Sequence, residues 1–325
     1  MKLTEPKYFY KKWGISTLLF PLSLLYRFGD NLNRAFSHPY KSKAKVICIG
    51  NIVLGGVGKT PIVIEIIKYF LSKNIRVGVI SRGYGGTLSS NTPIIVDTKK
   101  YTGSEIGDEP YLVASKFKNV PVCICKDRKK AAKLLENKVD VIIMDDGFQN
   151  YKLKKDIRIA VFDGIDGIGN GYIFPAGPLR QSLKSGLKGV NLAIIMRKNN
   201  PQLENKIKKY GISVINGKTV PTSNLKEYKG KKVIAFAGIG KPQKFYKTLT
   251  DNDIKIIQKI NFPDHYLYTE EDIKKLKNLA KSKKLPILTT MKDYVKIPDS
   301  DKKNFTPIDI EVKFDNEKVL FKTLS

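Results

Sequence analysis

The chain contains few cysteines, and its acidic residues are outnumbered about two to one by basic ones. Three cysteines occur in 325 residues, at positions 48, 123 and 125, too few for the disulfide framework of a small secreted domain. Cys123 and Cys125 alternate within an apolar stretch, so we expect both on one face of a strand, as core thiols. Because no second ligand pair exists, this C-x-C does not indicate a metal site. The pattern favours a reducing cytoplasm.

No zinc finger, RNP motif, fixed-period repeat or low-complexity tail occurs along the chain. Its 59 basic and 30 acidic residues give a net charge of +29. Nucleic acid, an anionic membrane surface and an acidic small substrate are competing explanations of that charge, and a coding bias toward lysine and asparagine is a fourth. Because the basic residues are spread over the whole chain without a nucleic-acid module, we predict no nucleic-acid partner.

One apolar segment stands out near the N-terminus. Residues 13–28 are almost wholly apolar and follow Lys7, Lys11 and Lys12. The segment is shorter than the roughly 20 residues of a membrane-spanning helix. Pro21 interrupts it and no small-residue cleavage site follows, which disfavours a secretory signal. An interfacial helix seated among lipid headgroups fits better, and a helix packed on the protein's own core is the alternative.

From Lys45 onward, apolar strand-like runs alternate with helical stretches. This order predicts an α/β fold with a doubly wound, mainly parallel sheet and helices on both faces. Helices are expected at 60–72, 109–118, 128–137 and 178–189. A polar, turn-rich stretch near 221–230 precedes a second α/β series. We therefore predict an N-terminal membrane-associating segment over 1–44, a larger α/β domain over 45–220 and a smaller α/β domain over 221–325.

A glycine-rich loop follows the first apolar run and opens the first helix, reading Gly-Asn-Ile-Val-Leu-Gly-Gly-Val-Gly-Lys-Thr-Pro over 50–61. Glycines let successive backbone N–H groups converge on phosphate oxygens at a helix N-terminus. Lys59 would then reach the β- and γ-phosphates, and Thr60 would supply a hydroxyl to Mg²⁺. The strict motif would place its first glycine at Val53, so this loop is a variant. It predicts a nucleotide-binding protein with a P-loop NTPase-like fold, in which residues 45–220 form the P-loop domain.

Two carboxylates, Asp145 and Asp146, end the apolar run that starts at Val139. In a parallel sheet that end opens onto the same crevice as the glycine loop. A carboxylate there can hold the Mg²⁺ that bridges the β- and γ-phosphates. The alternative is a turn aspartate that caps the next segment, which accounts for one carboxylate more easily than for two.

Several other polar residues have two interpretations. Arg180 is expected in the first turn of a helix, and Arg128 follows a strand. Each would stabilise charge on a phosphoryl group, and the alternative for each is a solvated surface arginine. Asp108 or Glu109 would open a helix or act as its N-cap. His265 lies in a loop, where most histidines have no catalytic role.

In combination, the motifs resemble those of the tetraacyldisaccharide 4′-kinase family. The resemblance covers most of the chain in the same order and includes the apolar N-terminus, the loop at 50–61, S-R-G-Y-G, G-D-E-P, D-D-G-F-Q, P-A-G-P-L-R, F-P-D-H and T-T-x-K-D. Four positions depart from the family pattern, namely Asn150, Gln181, Tyr266 and Met291. Gln181 stands where the family has an acidic residue.

The resemblance implies an ATP- and Mg²⁺-dependent kinase that phosphorylates the 4′-hydroxyl of a tetraacyl glucosamine disaccharide 1-phosphate, a step of lipid A synthesis. It implies that Asp108 is the catalytic base and that His265 orients it. Lys59, Arg180 and Arg128 would stabilise charge, and Thr60, Asp145 and Asp146 would serve the metal. ATP would bind Gly55, Gly56, Val57, Gly58, Lys59, Thr60 and Pro61, and the substrate would contact Asn51, Tyr84 and Gln149.

The resemblance also implies a monomer on the cytoplasmic face of the bacterial inner membrane. Two rival functions remain at the level of the sequence. One is a membrane-cycling switch ATPase, which is disfavoured because such proteins typically have a lysine in the position of Leu54. The other is a nucleic-acid-dependent NTPase, suggested by charge alone.

Overall fold

The computed structural model describes residues 6–264 and 266–325. The helices are α1 Ile15–Ala35, α2 Lys59–Ser72, α3 Gly103–Ile106, α4 Asp108–Lys116, α5 Arg128–Leu135, α6 Leu183–Leu187, α7 Pro201–Lys208, α8 Pro242–Thr250, α9 Glu270–Lys283, α10 Met291–Tyr294 and α11 Glu317–Leu324. The strands are β1 Lys45–Gly50, β2 Val77–Ser81, β3 Ile94–Ile95, β4 Val122–Ile124, β5 Val141–Asp145, β6 Ile157–Asp163, β7 Leu192–Met196, β8 Ser213–Pro221, β9 Lys232–Ala237, β10 Lys255–Asn261, β11 Ile287–Thr290, β12 Thr306–Ile308 and β13 Ile310–Phe314.

The chain forms two compact units that are not contiguous in sequence. The first comprises residues up to 80, 127–218 and 312–325, and the second comprises 81–126 and 219–311. The chain passes from the first unit to the second between residues 218 and 219, close to the expected boundary at 220. Residues 81–126, however, cluster with the C-terminal part of the chain, and the expected segment 1–44 belongs to the first unit. The physical reason is a shared core, because Ile106, Tyr111 and Ile124 are buried in one cluster with Val295.

The first unit is built on a parallel sheet whose strand order is β8-β7-β6-β1-β5-β2. Its central strands are buried almost throughout, as expected for strands covered on both faces. The strand order reverses direction at β1. From β1 the chain continues to β2 on one side of the sheet, whereas β6 lies beside β1 on the other side. Ligands of open α/β sheets bind at such a switch, beyond the carboxyl ends of the strands. Gly50, Asp145 and Asp163 end the three strands at this point.

Helix α1 is longer than the predicted apolar segment, and Pro21 lies within it rather than ending it. One side of α1 faces the first unit through small polar side chains, since the hydroxyl of Ser16 donates to Tyr8 O (2.9 Å) and that of Ser23 to Ile173 O (2.7 Å). The opposite side exposes large apolar side chains, among them Leu18 (80% exposed). The apolar stripe of α1 is therefore not packed on the protein's own core. Among the described residues, no helix combines the length and apolar character needed to cross a membrane.

The second unit contains a four-stranded parallel sheet of order β10-β9-β11-β12 and an antiparallel pair of β3 with β4. Alternate residues of β9 enter two different cores. Val233 and Ala235 belong to one cluster, and Ile234 and Phe236 to the other. This period of two is what a strand buried on both faces requires.

Candidate functional site

The loop between β1 and α2 has the backbone geometry of a phosphate cradle. Gly55 and Gly58 adopt left-handed φ angles of 101° and 86°, which glycine adopts without a steric penalty. A Cβ atom at Gly56 would meet no atom within 4 Å, so its backbone faces open space. Within the part of the chain that the structure describes, the N–H groups of residues 55–58 donate no backbone hydrogen bond. These donors are available to an anion at the N-terminus of α2.

Asn51 is fully buried and fixes this loop through hydrogen bonds. Its Nδ2 donates to Val53 O (2.6 Å) and Gly55 O (3.3 Å), and its Oδ1 accepts from Lys59 Nζ (3.4 Å). A side chain with no exposed surface does not contact a substrate in the crevice. The expected substrate contact of Asn51 is therefore replaced by a role in fixing the loop and its lysine.

Lys59, Asp146 and Arg180 form a charged cluster beside the loop. Lys59 Nζ lies 3.5 Å from Asp146 Oδ1, and Arg180 Nη1 lies 3.4 Å from Asp146 Oδ2. Asp146 adopts a φ of 50°, a left-handed conformation that aspartate tolerates better than most residues. The cluster holds two cations at the mouth of the phosphate loop with one carboxylate between them.

Gln149 links this cluster to the loop. Its Nε2 donates to Asn51 O (3.2 Å) and its Oε1 accepts from Arg180 Nη1 (3.2 Å). Both ends of the Gln149 amide are therefore engaged within the first unit. Sequence reasoning assigned Gln149 to the substrate, whereas its observed contacts position Arg180.

Asp145 and Thr60 supply the oxygen atoms expected around a magnesium ion. Asp145 ends β5 beside Ile49 of β1 and is 6% exposed. Thr60 is the second residue of α2 and is 3% exposed. Hydroxyl and carboxylate oxygens are the ligands that Mg²⁺ takes. Among the described residues, no group of three or more His, Cys, Asp or Glu is arranged to hold a metal ion.

The structure corrects the sequence-based placement of Arg180. It does not lie in a helix, since α6 starts only at Leu183, where Ser182 caps it. The backbone before α6 is instead tied to the phosphate loop, because Arg180 N donates to Ile52 O (2.7 Å) and Leu54 N to Pro178 O (2.8 Å). These bonds tie residues 178–180 to the phosphate loop, and the guanidinium of Arg180 contacts Asp146.

Arg128 is also not a solvated surface residue. It is the first residue of α5 and is 4% exposed. The preceding Asp127 caps the helix through Lys129 N (3.0 Å) and Lys130 N (3.4 Å). Arginine is seldom this deeply buried unless it is paired.

In the second unit, Asp108 is the first residue of α4 and is 6% exposed. The N-cap is Gly107, with a φ of 97°, so capping does not account for Asp108. Lys296 Nζ lies 3.7 Å from Asp108 Oδ2 and 3.0 Å from Asp293 Oδ1. The Lys296 side chain is 2% exposed, and that of Asp293 is fully buried. A buried lysine thus lies between two buried carboxylates.

Asp293 is held by a full set of donors. Its Oδ2 accepts from Gly238 N (3.0 Å) and Thr290 Oγ1 (2.7 Å), and its Oδ1 accepts from the hydroxyl of Tyr268 (2.9 Å). Burial, followed by the charge of Asp293, raises the pKa of Tyr268 well above its usual range. Tyr268 therefore stays protonated and donates. Sequence reasoning noted the T-T-x-K-D motif but assigned no role to Asp293 or to Lys296, which lies one turn later.

Two expected site residues remain. Tyr84 lies in a turn of the second unit and is 72% exposed, which suits a residue that contacts a ligand. His265 lies outside the described residues.

Comparison with known proteins decides the family. Residues 15–325 match the family described as "Tetraacyldisaccharide-1-P 4'-kinase". The chain belongs to this family. Among similar proteins, the tetraacyldisaccharide 4'-kinase of Rickettsia akari is 36% identical over 98% of this chain and 96% of its own length. That of Rickettsia typhi is 38% identical over 98% and 97%.

A more distant relative and a solved structure agree. The tetraacyldisaccharide 4'-kinase of Paramagnetospirillum magneticum is 33% identical over 98% of this chain and 97% of its own length. The crystal structure of LpxK from Aquifex aeolicus in complex with ATP superimposes with a TM-score of 0.74 at 28% identity, covering 96% of this chain and 98% of that one. The mixed α/β fold with a large, mostly parallel sheet is therefore confirmed as that of the family.

Proposed function

We propose that this member of the tetraacyldisaccharide-1-P 4'-kinase family transfers the γ-phosphate of ATP to the 4′-hydroxyl of a tetraacyl glucosamine disaccharide 1-phosphate. The product is the bis-phosphorylated lipid A precursor. The observation that carries the proposal is the charged cluster at the phosphate loop, where Lys59 and Arg180 lie 3.5 and 3.4 Å from the carboxylate of Asp146. Transfer of a phosphoryl group needs cations placed where its charge develops.

The nucleotide binds the loop and the first turn of α2. The backbone of Gly55, Gly56, Val57 and Gly58 surrounds its phosphates, and Lys59, Thr60 and Pro61 complete the site. The left-handed glycines and their available N–H groups support this assignment. Pro61 falls in the first turn of α2, where a missing N–H costs no hydrogen bond.

Thr60, Asp145 and Asp146 are the residues that would hold Mg²⁺. Their oxygens fit the ion, and the lack of a larger acidic cluster among the described residues suits a metal held mainly by nucleotide phosphates. When bound, Mg²⁺ neutralises phosphate charge. Lys59, Arg180 and Arg128 would stabilise negative charge around the phosphates.

Asp108 is the proposed base that accepts the proton of the 4′-hydroxyl. A sugar hydroxyl is too weak an acid to ionise near neutral pH, so a positioned carboxylate assists as the new bond forms. The ion pair with Lys296 keeps this carboxylate at a fixed position in the second unit. His265 is proposed to orient Asp108, and Tyr84 to contact the sugar.

Kinase activity is tested by incubating the protein with labelled ATP and the disaccharide 1-phosphate and then locating the new phosphate. We expect it on the 4′-oxygen. Asp108→Asn should lower kcat by about 10²–10⁴-fold and leave nucleotide binding intact. Lys99→Ala, which changes an exposed residue of the same unit, serves as the control. Transfer at the wild-type rate by Asp108→Asn would refute the base assignment.

The apolar stripe of α1 is proposed to seat the protein on the cytoplasmic face of the inner membrane. Trp13, Leu18, Leu25 and Phe28 are each more than 60% exposed, a density of apolar surface that marks an interaction site. Replacing Leu18, Leu25 and Phe28 by serine should abolish co-sedimentation with vesicles of inner-membrane lipids. Unchanged sedimentation would exclude α1 as the contact. The monomeric state stays a prediction.

A further inference from the structure

Residues 172–180 of the first unit, which we call the linking segment, connect the phosphate loop to helix α1. The C-terminal end of the segment pairs with the loop through an antiparallel bridge between Val53 and Leu179. Two backbone hydrogen bonds flank this bridge, from Leu54 N to Pro178 O (2.8 Å) and from Arg180 N to Ile52 O (2.7 Å). The segment and the loop therefore hold a fixed position relative to each other.

The hydroxyl group of Ser23 holds the other end of the linking segment. Ser23 lies in α1 and is buried. Its Oγ donates to Ile173 O (2.7 Å) and accepts from Ala176 N (3.1 Å). Alanine at position 23 would leave the buried N–H of Ala176 without this acceptor, and an unpaired buried donor is costly. This one hydroxyl therefore fixes the turn at 173–176 to α1.

The side chain of Asn170 ties the start of the linking segment to the residues that lead into α1. Asn170 is buried. Its Oδ1 accepts from Tyr172 N (3.0 Å), and its Nδ2 donates to Ala176 O (2.9 Å). The same Nδ2 lies 3.0 Å from Lys11 O and 3.1 Å from Ser16 Oγ. The amide is therefore shared between the linking segment and the N-terminal part of the chain.

The linking segment is closed by its own hydrogen bonds and has little room to deform. Phe174 N donates to Leu179 O (2.8 Å), and Leu179 N donates to Tyr172 O (3.1 Å). A Cβ atom at Gly177 would lie 2.2 Å from Asn170 Oδ1, so a larger residue does not fit there. Close-packed groups transmit a displacement because they have low compressibility. A shift at the α1 end is therefore passed on to the end that pairs with the phosphate loop.

Arg180 is the last residue of the linking segment. Its guanidinium contacts the carboxylate of Asp146 (3.4 Å) and Gln149 Oε1 (3.2 Å). A cation stabilises the charge of a transition state best when it is already in place, and a displacement of about 1 Å caused far from the chemistry can cost about 10²-fold in rate. The rate of phosphate transfer therefore depends on where the segment holds the backbone of Arg180.

We propose that Ser23 is a positioning residue of the phosphate-transfer site, which acts through the linking segment to place Arg180 beside the phosphate loop; the inference rests on the proposed kinase function. Helical spacing puts Ser23 on the side of α1 opposite the exposed Leu18 and Leu25. The buried side of α1 therefore has a role in phosphate transfer that is separate from the role of its apolar stripe.

The test compares substitutions at Ser23 that remove, keep or weaken the hydroxyl contact. Ser23→Ala should lower kcat about tenfold, while KM for the lipid acceptor and sedimentation with vesicles of inner-membrane lipids stay within about twofold of wild type. Ser23→Thr keeps the hydroxyl and should restore kcat to within about twofold. Ser23→Cys keeps the shape with a weaker donor, so it should lower kcat about threefold even if the alanine variant does not fold.

The matched control is Thr17→Ala, which removes an exposed hydroxyl of the same helix that donates to Lys12 O (3.3 Å). It should keep kcat within about twofold of wild type. An equal fall in Thr17→Ala and Ser23→Ala would attribute the effect to α1 in general and overturn the inference. A wild-type kcat in the folded Ser23→Ala or Ser23→Cys protein would overturn it as well.

The Arg180→Ala background tests the route of the effect. Residues that act as one unit have non-additive effects on rate. In that background, Ser23→Ala should therefore lower kcat by less than about twofold. A further tenfold fall would show that Ser23 does not act through Arg180.

Nucleotide binding separates failure of this inference from failure of the proposed function. Without the lipid acceptor, the dissociation constant of the fluorescent analogue mant-ATP should be about threefold higher for Ser23→Ala than for wild type, because a displaced arginine binds phosphate less well. That rise in a protein that transfers no phosphate to the disaccharide would refute the function and support the positioning role. Phosphate transfer with unchanged kcat and mant-ATP binding in Ser23→Ala would refute the positioning role.

Discussion

Replacing Lys296 by methionine removes a buried cation from between two carboxylates, and we expect it to destabilise the second unit by about 3–5 kcal/mol. Lys296 Nζ is 3.0 Å from Asp293 and 3.7 Å from Asp108. Since all three side chains are at least nine-tenths buried, water does not replace the lost ion pair. At about 2–4 °C per kcal/mol, the melting temperature should fall by about 6–20 °C.

A double-mutant cycle with Asp293→Asn isolates the charge. Asparagine keeps an oxygen that can accept from Gly238 N and Thr290 Oγ1 but removes the negative charge that Lys296 balances. The double variant should therefore be more stable than the sum of the single effects predicts, with a coupling of about 2 kcal/mol. Urea unfolding followed by far-UV circular dichroism measures each free energy of unfolding.

Lys281→Met provides the control, because Lys281 is exposed on α9 of the same unit and should change stability by less than about 0.5 kcal/mol. The reasoning would be refuted if Lys296→Met stayed within about 1 kcal/mol of wild type, which lies below the cost of an uncompensated buried charge. A coupling near zero with Asp293→Asn would refute it as well.

Three further outcomes are expected. Asn51→Ala should raise KM for ATP about tenfold, because the amide that fixes the phosphate loop is worth about 1–3 kcal/mol; an unchanged KM in steady-state kinetics would contradict this. Burial lowers the pKa of Lys155 to about 8, below its unfolded value near 10.4. Between about pH 8 and 10 the folded state therefore binds fewer protons than the unfolded state, and the free energy of unfolding rises with pH across that window. Lys155→Met should flatten this slope in urea titrations, and an unchanged slope would show that other groups cause it. Gly50→Ala should destabilise the protein by about 1–3 kcal/mol, since the added Cβ overlaps the ring of Phe148; Gly50→Ala/Phe148→Leu should lose less than the two single changes combined, as measured by thermal melting.

The sequence by itself determined the local geometry of the nucleotide side. The strand, glycine loop and Lys59-Thr60 are contiguous, and the conformations they require depend mainly on neighbouring residues. The same holds for the carboxylates that end β5, because a buried strand followed by polar residues has its carboxyl end at the crevice. Helix α2 was predictable for the same reason, through its apolar spacing.

Only the tertiary structure decided how distant residues are used. Arg180 was expected in a helix, but it precedes α6, and its backbone N–H donates to the phosphate loop instead. Asn51 was expected at the substrate, but its burial turns it into a support for the loop. Residues 81–126 join the second unit, and Lys296 pairs with Asp108, almost two hundred positions away in the sequence. Burial of apolar surface and pairing of buried charge depend on which residues are neighbours in space, not on which are neighbours along the chain.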